Sequence, residues 1–234
     1  MGKVVAIHQP QYLPWLPFFD KADRADVFVF LDNVQFQRRG VQNRNAIKGA
    51  QGRINLTVPV AHADYHARID EIAVAETAWR HKHIEGIRHC YTRAPFLSLF
   101  EEELRGLIEQ PWRLLADLTI AVSIWFFRQM KIDCQILRAS ALDCSGQKGD
   151  LILNLCDAVG ATTYLSGRGA EGYQDEVEFS ARGLELRYQN YAVQPYTQLH
   201  SHLGFMADLS ALDLVLNEGP LAADILRAGR RDLS

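Results

Sequence analysis

The apolar positions of the chain fall into two rhythms. Residues 3–7 are a short, β-branched apolar run that stops at the polar His8 and at Pro10, the pattern of a buried strand with a hard end. Residues 16–25 follow with Phe18, Phe19 and Ala22 on one side and Asp20, Lys21, Asp23 and Arg24 on the other, which predicts an amphipathic helix. Residues 27–31 are apolar at every position and are closed by Asp32 and Asn33. A run without alternation is buried on both faces, as the strands of a parallel sheet are. Together these pieces predict a compact βαβ unit.

Residues 34–52 are polar, basic and glycine-containing, and read as a loop. Residues 53–60 read as a strand and residues 69–75 as a weaker one. The rhythm then turns helical over residues 76–92, 95–109 and 112–130, broken at Ala94-Pro95 and at Gln110-Pro111. The α/β pattern resumes with a strand at 133–139, a helix at 149–159, strands at 162–165 and 184–188, and short helices at 209–216 and 221–228. The predicted fold is α/β: an open, mostly parallel Rossmann-like sheet with a three-helix insertion. Residues 1–75 form its N-terminal half with the expected site, 76–130 the insertion and 131–234 the C-terminal half. No linker or composition shift marks two independent domains.

Composition narrows the function classes. The 234 residues are 48% hydrophobic and 23% charged, with a net charge of −3, so nothing in the overall balance advertises a DNA or membrane surface. No apolar run approaches the roughly 20 residues that span a bilayer. The N-terminus reads as a strand and lacks the pattern of a signal peptide, so a cytoplasmic protein is expected. Cys90, Cys134, Cys144 and Cys156 show no CxxC pairing and no histidine at ligand spacing. That pattern fits reduced structural thiols, with no metal site expected. His81, His83 and His89 sit on one predicted helix at spacings that no single face brings together.

The candidate chemistry gathers after the early strands. In an open parallel sheet, ligands sit outside the carboxyl ends of strands where the strand order switches. His8 lies just past one predicted strand and Asp32 just past the next, so the two are expected to face one crevice as the catalytic pair. Pro10, Pro14 and Pro17 stiffen the loop after His8, in which Gln9, Tyr12 and Trp15 offer amide and aromatic faces to a base or sugar. The segment from Asp32 to Lys48 adds Gln35, Asn43, Arg44 and Lys48, with Arg38 and Arg39, as donors for a diphosphate or carboxylate. A third loop, Ser166-Gly167-Arg168-Gly169-Ala170-Glu171-Gly172-Tyr173, offers backbone N–H groups to an anion, with Ser166, Gly167 and Tyr173 as binding candidates. It matches neither the P-loop nor the dinucleotide fingerprint. Each group has a plainer reading as well: a strand cap, a solvated basic loop or a connecting turn. The polar-aromatic tail, with Gln189, Asn190, Tyr191, Tyr196 and Asp213, reads equally as a pocket wall or a packed edge.

The run VAIHQPQYLPWLPFFDKADRADVFVFLDNVQFQRRGVQNRNAIK resembles the opening of the WbqC-like proteins. The later segments LTVPV, YTRAPF, YLSGRGAEGY, YQNYAVQPYTQ and LSALDLVLNEG resemble the family in the same order, so the likeness runs from His8 to Gly219. It implies a protein of bacterial surface-polysaccharide synthesis, a group proposed to transfer an amino acid, typically glycine, onto the amine of a nucleotide-linked amino sugar. Two departures stand out: Pro17-Phe18-Phe19, where a glycine and an aromatic are common, and Arg38-Arg39-Gly40, where the family's loop varies. A weaker, fold-level likeness is to nucleotidyl-transfer proteins with an HxxH turn, whose spacing Tyr12 and Trp15 occupy without the histidines. The resemblance implies a small-molecule nucleotide amino sugar as partner. It leaves the donor open between ATP and a charged aminoacyl carrier. A non-catalytic nucleotide-sugar binder is the alternative, and a homodimer is compatible with either.

Overall fold

In the computed structural model, which describes residues 2–61, 66–76, 78–172 and 174–233, five parallel strands lie between two helical layers. The chain forms β1 (Val4–His8), α1 (Leu16–Asp23) and β2 (Val27–Phe30), then an antiparallel hairpin of β3 (Arg44–Gly49) and β4 (Gly52–Thr57). Three helices follow, α2 (Trp79–Tyr91), α3 (Leu97–Glu109) and α4 (Leu115–Gln129). Next come β5 (Gln135–Arg138), α5 (Gly149–Ala158), β6 (Thr163–Ser166), α6 (Glu176–Ala181) and β7 (Glu185–Tyr188), and finally α7 (Leu212–Glu218) and α8 (Ala222–Ala228).

The sheet order is β5-β2-β1-β6-β7, parallel throughout. The chain starts in the middle, works outward through β2 to β5, returns to β6 beside β1 and works outward again to β7. The order therefore reverses between β1 and β6. The expected open Rossmann-like sheet with a three-helix insertion is the observed fold.

Strand alternation explains the two layers. Ala6, Phe28 and Phe30 face the side on which α1, α4, α7 and α8 pack, whereas Val5, Ile7, Val27 and Val29 face α5 and α6. The first layer is aromatic: Phe127 of α4 meets Phe28 edge-on at 5.6 Å between ring centroids, and Phe126 meets Phe19 of α1 at 5.0 Å. Such pairs add roughly 0.5–1.5 kcal/mol each beyond the area they bury. Apolar residues of α2 and α3, among them Ile84, Ile87, Phe100 and Leu104, join this same core. Helix α1 carries Pro17 in its first turn, where a missing N–H costs nothing. Its outer turn is clasped by α8 and the residues just after it: Arg227 Nε of α8 donates to Asp23 Oδ2 at 2.9 Å, and Arg230 Nε beyond the helix donates to Asp20 Oδ1 at 2.9 Å.

Three elements differ from the sequence pattern. Residues 44–49, read as loop, are strand β3, paired with β4 across a two-residue turn that ends at Gly52 (φ +122°). Residues 69–75, read as a weak strand, form a 3₁₀ turn at Ile69–Glu71 and isolated bridges at Ala73 and Val74. Helix α6 was not apparent because it is six residues long with a single buried apolar residue, Phe179. Among the described residues, no helix is long and apolar enough to cross a membrane.

Candidate functional site

A cavity of about 620 Å³ opens at the carboxyl end of the sheet, where β1 and β6 part. Its apolar wall is Ile7, Pro17, Phe18, Leu31 and Ile152. Its polar groups include Trp15 before α1, Tyr164 of β6 and Gln174 before α6, together with four clusters. His8 and Gln9 end β1, Lys21 projects from α1, Ser166 through Ala170 follow β6, and Gln189, Asn190 and Tyr191 follow β7. An apolar chamber with a few convergent polar groups is the usual form of a small-molecule site.

His8 stands at the last position of β1 with its ring edge-on to Phe18, centroids 5.0 Å apart. Its Nδ1 lies 2.9 Å from the Gln9 carbonyl oxygen. A carbonyl only accepts, so Nδ1 carries the proton and Nε2 keeps a lone pair. Burial and the nearby Lys21 charge lower the His8 pKa to about 3, so the ring is neutral across physiological pH.

Lys21 is buried and donates to the Ile7 carbonyl oxygen at 3.0 Å. Burial lowers its pKa to about 7, which makes its charge labile near neutrality. The signal that could have found it is spacing. Lys21 lies three residues after Phe18, so the two share the helix face that crosses the end of β1, although charge alone had sorted Lys21 with the solvent side.

After β6 the chain makes a tight 3₁₀ turn at Arg168–Ala170. Gly167 and Gly169 both line the cavity, and a Cβ built on either meets no atom within 4 Å. Gly167 has φ −82°, so neither packing nor backbone conformation demands a glycine there. Their bareness keeps open space beside the main chain. Two buried oxygens at the cavity, Gln174 Oε1 and the Tyr191 hydroxyl, have no hydrogen-bond partner among the described residues. Buried polar atoms of this kind need an explanation, and a ligand supplies one.

Of the residues expected from sequence, His8, Gln9, Trp15, Ser166 and Gly167 come together in this cavity. Asp32 does not. It is fully buried on the far side of β1, where its carboxylate accepts from Arg138 Nε at 2.7 Å, from the Ser140 amide at 2.9 Å and from the Ser140 hydroxyl at 2.7 Å. The physical reason is its strand: β2 pairs with β5, so the residue beyond β2 meets the chain leaving β5. Tyr12 is also buried, its hydroxyl 3.0 Å from His83 Nδ1. Asn43 Nδ2 donates to the Val58 carbonyl at 2.8 Å, and Lys48 is buried with Nζ on Gln198 Oε1 and the Gly204 carbonyl. Arg44 bonds the Arg39 carbonyl, and Gln35 forms an exposed bridge to Arg68. The side chains of Tyr12, Asn43, Arg44 and Lys48 thus bond to other parts of the protein, whereas the Gln35 bridge is made by its backbone. Tyr173 lies outside the described residues. Lys21, Arg168, Gln174, Gln189, Asn190 and Tyr191 are cavity residues the sequence-based selection missed, although the tail segment had been marked as a possible wall.

Fold and cavity together define a doubly wound α/β protein with an open chamber at its switch point. The chain belongs to the WbqC-like protein family, whose model matches residues 9–225. It is 30% identical to "Uncharacterized protein Rv1507c" of Mycobacterium tuberculosis over 232 residues, covering 98% of this chain and 100% of that protein. No solved structure is significantly similar to it.

Proposed function

We propose that the switch-point cavity binds a nucleotide-linked amino sugar and that the protein is a cytoplasmic transferase that places an aminoacyl group, glycine being the first to try, on the sugar amine for surface-polysaccharide synthesis. The observation that carries the reading is the joining of one apolar chamber with Gln9, His8, Ser166 and Arg168 around the bare glycine turn. A volume near 620 Å³ lies within the range of small-molecule sites. The flat apolar wall suits a base or sugar ring, and Trp15, 41% exposed at the mouth, offers a stacking face. Backbone N–H groups of the turn and Arg168 suit the phosphates. His8, neutral with Nε2 free, suits acceptance of a hydroxyl or amine proton in a hydrogen bond.

Holding acceptor and donor together can lower the barrier by roughly 7–11 kcal/mol in the best cases. The test is to incubate the protein with a panel of nucleotide amino sugars, glycine and either ATP or a charged aminoacyl carrier. A mass gain of one glycyl residue on the sugar supports the reading. Tight binding by calorimetry with no turnover on any donor would replace it with a nucleotide-sugar carrier. His8→Ala is expected to lower kcat/KM by about 10²-fold, in line with the loss of one well-placed polar contact in the transition state.

A further inference from the structure

We propose that Lys21 is the proton acceptor of this cavity, the group whose neutral amine takes the proton from an incoming ammonium. The inference deepens the transferase reading and rests on it for the identity of the substrate. Three observations carry it. Lys21 is 4% exposed yet lines the chamber, and the one hydrogen bond it makes among the described residues is to the Ile7 carbonyl. Two of the three donor positions of its ammonium form thus have no partner among the described residues. The neighbouring carboxylates are engaged elsewhere: Asp20 by Arg24, Arg230 and Gln189, and Asp23 by Arg227 and Arg230. A buried amine without a carboxylate beside it is stabilised in its neutral form, the form that can accept a proton.

Among the described residues, the other titratable or charged groups lining the chamber are His8 from β1, Tyr164 from β6, Arg168 from the turn and Tyr191 beyond β7. None of them supplies the lone pair at the required basicity. His8, lowered to about 3, is too weak a base for an ammonium ion, and burial raises both tyrosines far above neutrality. Arg168 carries a guanidinium, which does not deprotonate in proteins. A base working near neutral pH has its pKa close to that pH, as Lys21 does at about 7.

The step balances simply. The sugar ammonium gives one proton to Nζ, and the freed nitrogen lone pair forms a bond to the carbonyl carbon of an activated acyl donor, an ester, thioester or acyl phosphate. The bond from that carbon to its carrier breaks, and the carrier leaves with the electron pair and takes the second nitrogen proton. Lys21 then returns its proton to solvent.

The experiment has two arms, and the first needs no substrate. In protein labelled with [13C]lysine, the Cε resonance missing from Lys21→Met is expected to titrate near pH 7. A midpoint above 9 overturns the proposal whether or not an acceptor sugar has been found. In the second arm, Lys21→Met and Lys21→Arg are compared on the sugar that the panel identifies. Both are expected to bind its nucleoside diphosphate within about threefold of wild type and to lose about 10²–10⁴-fold in kcat, the usual worth of a general base. The ascending limb of the wild-type kcat–pH profile is expected near 7. Either variant keeping more than a tenth of the wild-type rate overturns the proposal. An inactive wild type with a low Lys21 midpoint would remove the transferase reading while supporting the neutral amine.

Discussion

Two places at the same end of one sheet carry polar residues just past buried strands, and they have opposite fates. Beyond β2, both carboxylate oxygens of Asp32 are bonded by Arg138 and Ser140, and Arg138 also reaches Asp117 at 2.7 Å. That region is saturated. Beyond β1, β6 and β7, among the described residues, Lys21 makes one hydrogen bond of a possible three, and Gln174 Oε1 and the Tyr191 hydroxyl make none. A polar strand end is thus a structural clamp where the fold consumes its hydrogen-bonding capacity, and stays available to other molecules where the fold leaves that capacity unused.

The largest expected effect breaks the clamp. Asp32→Ala leaves the Ser140 amide and one face of Arg138 unpaired, and unfolding in urea is expected to show a loss of about 3–5 kcal/mol. If Asp32 instead belonged to the binding chamber, the variant would fold normally and lose ligand affinity.

Next comes the buried amine. Lys21 has a folded pKa of about 7 against an ordinary 10.5, so below pH 7 it is charged in both states and the fold bears the full burial penalty. Between 7 and 10.5 the unfolded chain binds more protons, so stability rises with pH over that window. Lys21→Met is therefore expected to be more stable than wild type by roughly 1–3 kcal/mol at pH 6, a gain that shrinks by pH 10. Thermal melts at the two pH values check it, and equal differences at both would contradict the burial of a chargeable group.

A smaller effect sharpens the cavity side. Gly167→Ala fits the ligand-free protein, since a Cβ there meets nothing within 4 Å, so the melting temperature is expected to move by less than about 2 °C. Nucleoside diphosphate binding is expected to weaken about tenfold, an energy of roughly 1.4 kcal/mol. The smallest effect concerns acid. His8 and His83 are lowered to about 3 and about 4, mainly by burial, so both stay neutral in the fold while the unfolded chain protonates them near 6.5. Their contribution is complete above pH 6.5 and is lost as pH falls toward 4 and 3. His83→Gln is expected to flatten that acid slope by about 1 kcal/mol in pH-dependent urea melts.

The sheet was legible because β1 and β2 are unbroken apolar runs, and such runs carry their burial in the sequence. Strand β3 was hidden because its polar residues Asn45 and Lys48 are satisfied by distant partners, Leu13 for one and Gln198 for the other, which no local pattern reveals. Half of the site was readable for a similar reason. His8, Gln9, Ser166 and Gly167 sit directly at strand ends, so the topology rule finds them. The role of Asp32 depended on which strand lies beside β2, and that neighbour, β5, is more than a hundred residues away. Lys21 was misplaced because charge sorts a helix into solvent and core faces, whereas one face of this helix, with Pro17, Phe18 and Lys21, lines a cavity where a charged residue can face inward.

The chamber straddles the seam at which β1 pairs with β6, Val4 opposite Thr163. That pairing closes a loop of well over a hundred residues, an entropic debt that grows only slowly with length but that must be met before the seam rewards it. A nascent chain therefore holds no trace of the pocket until most of the polypeptide has left the ribosome. Any small molecule seated across the seam would then act as a rivet between the first strand to be made and one of the last two.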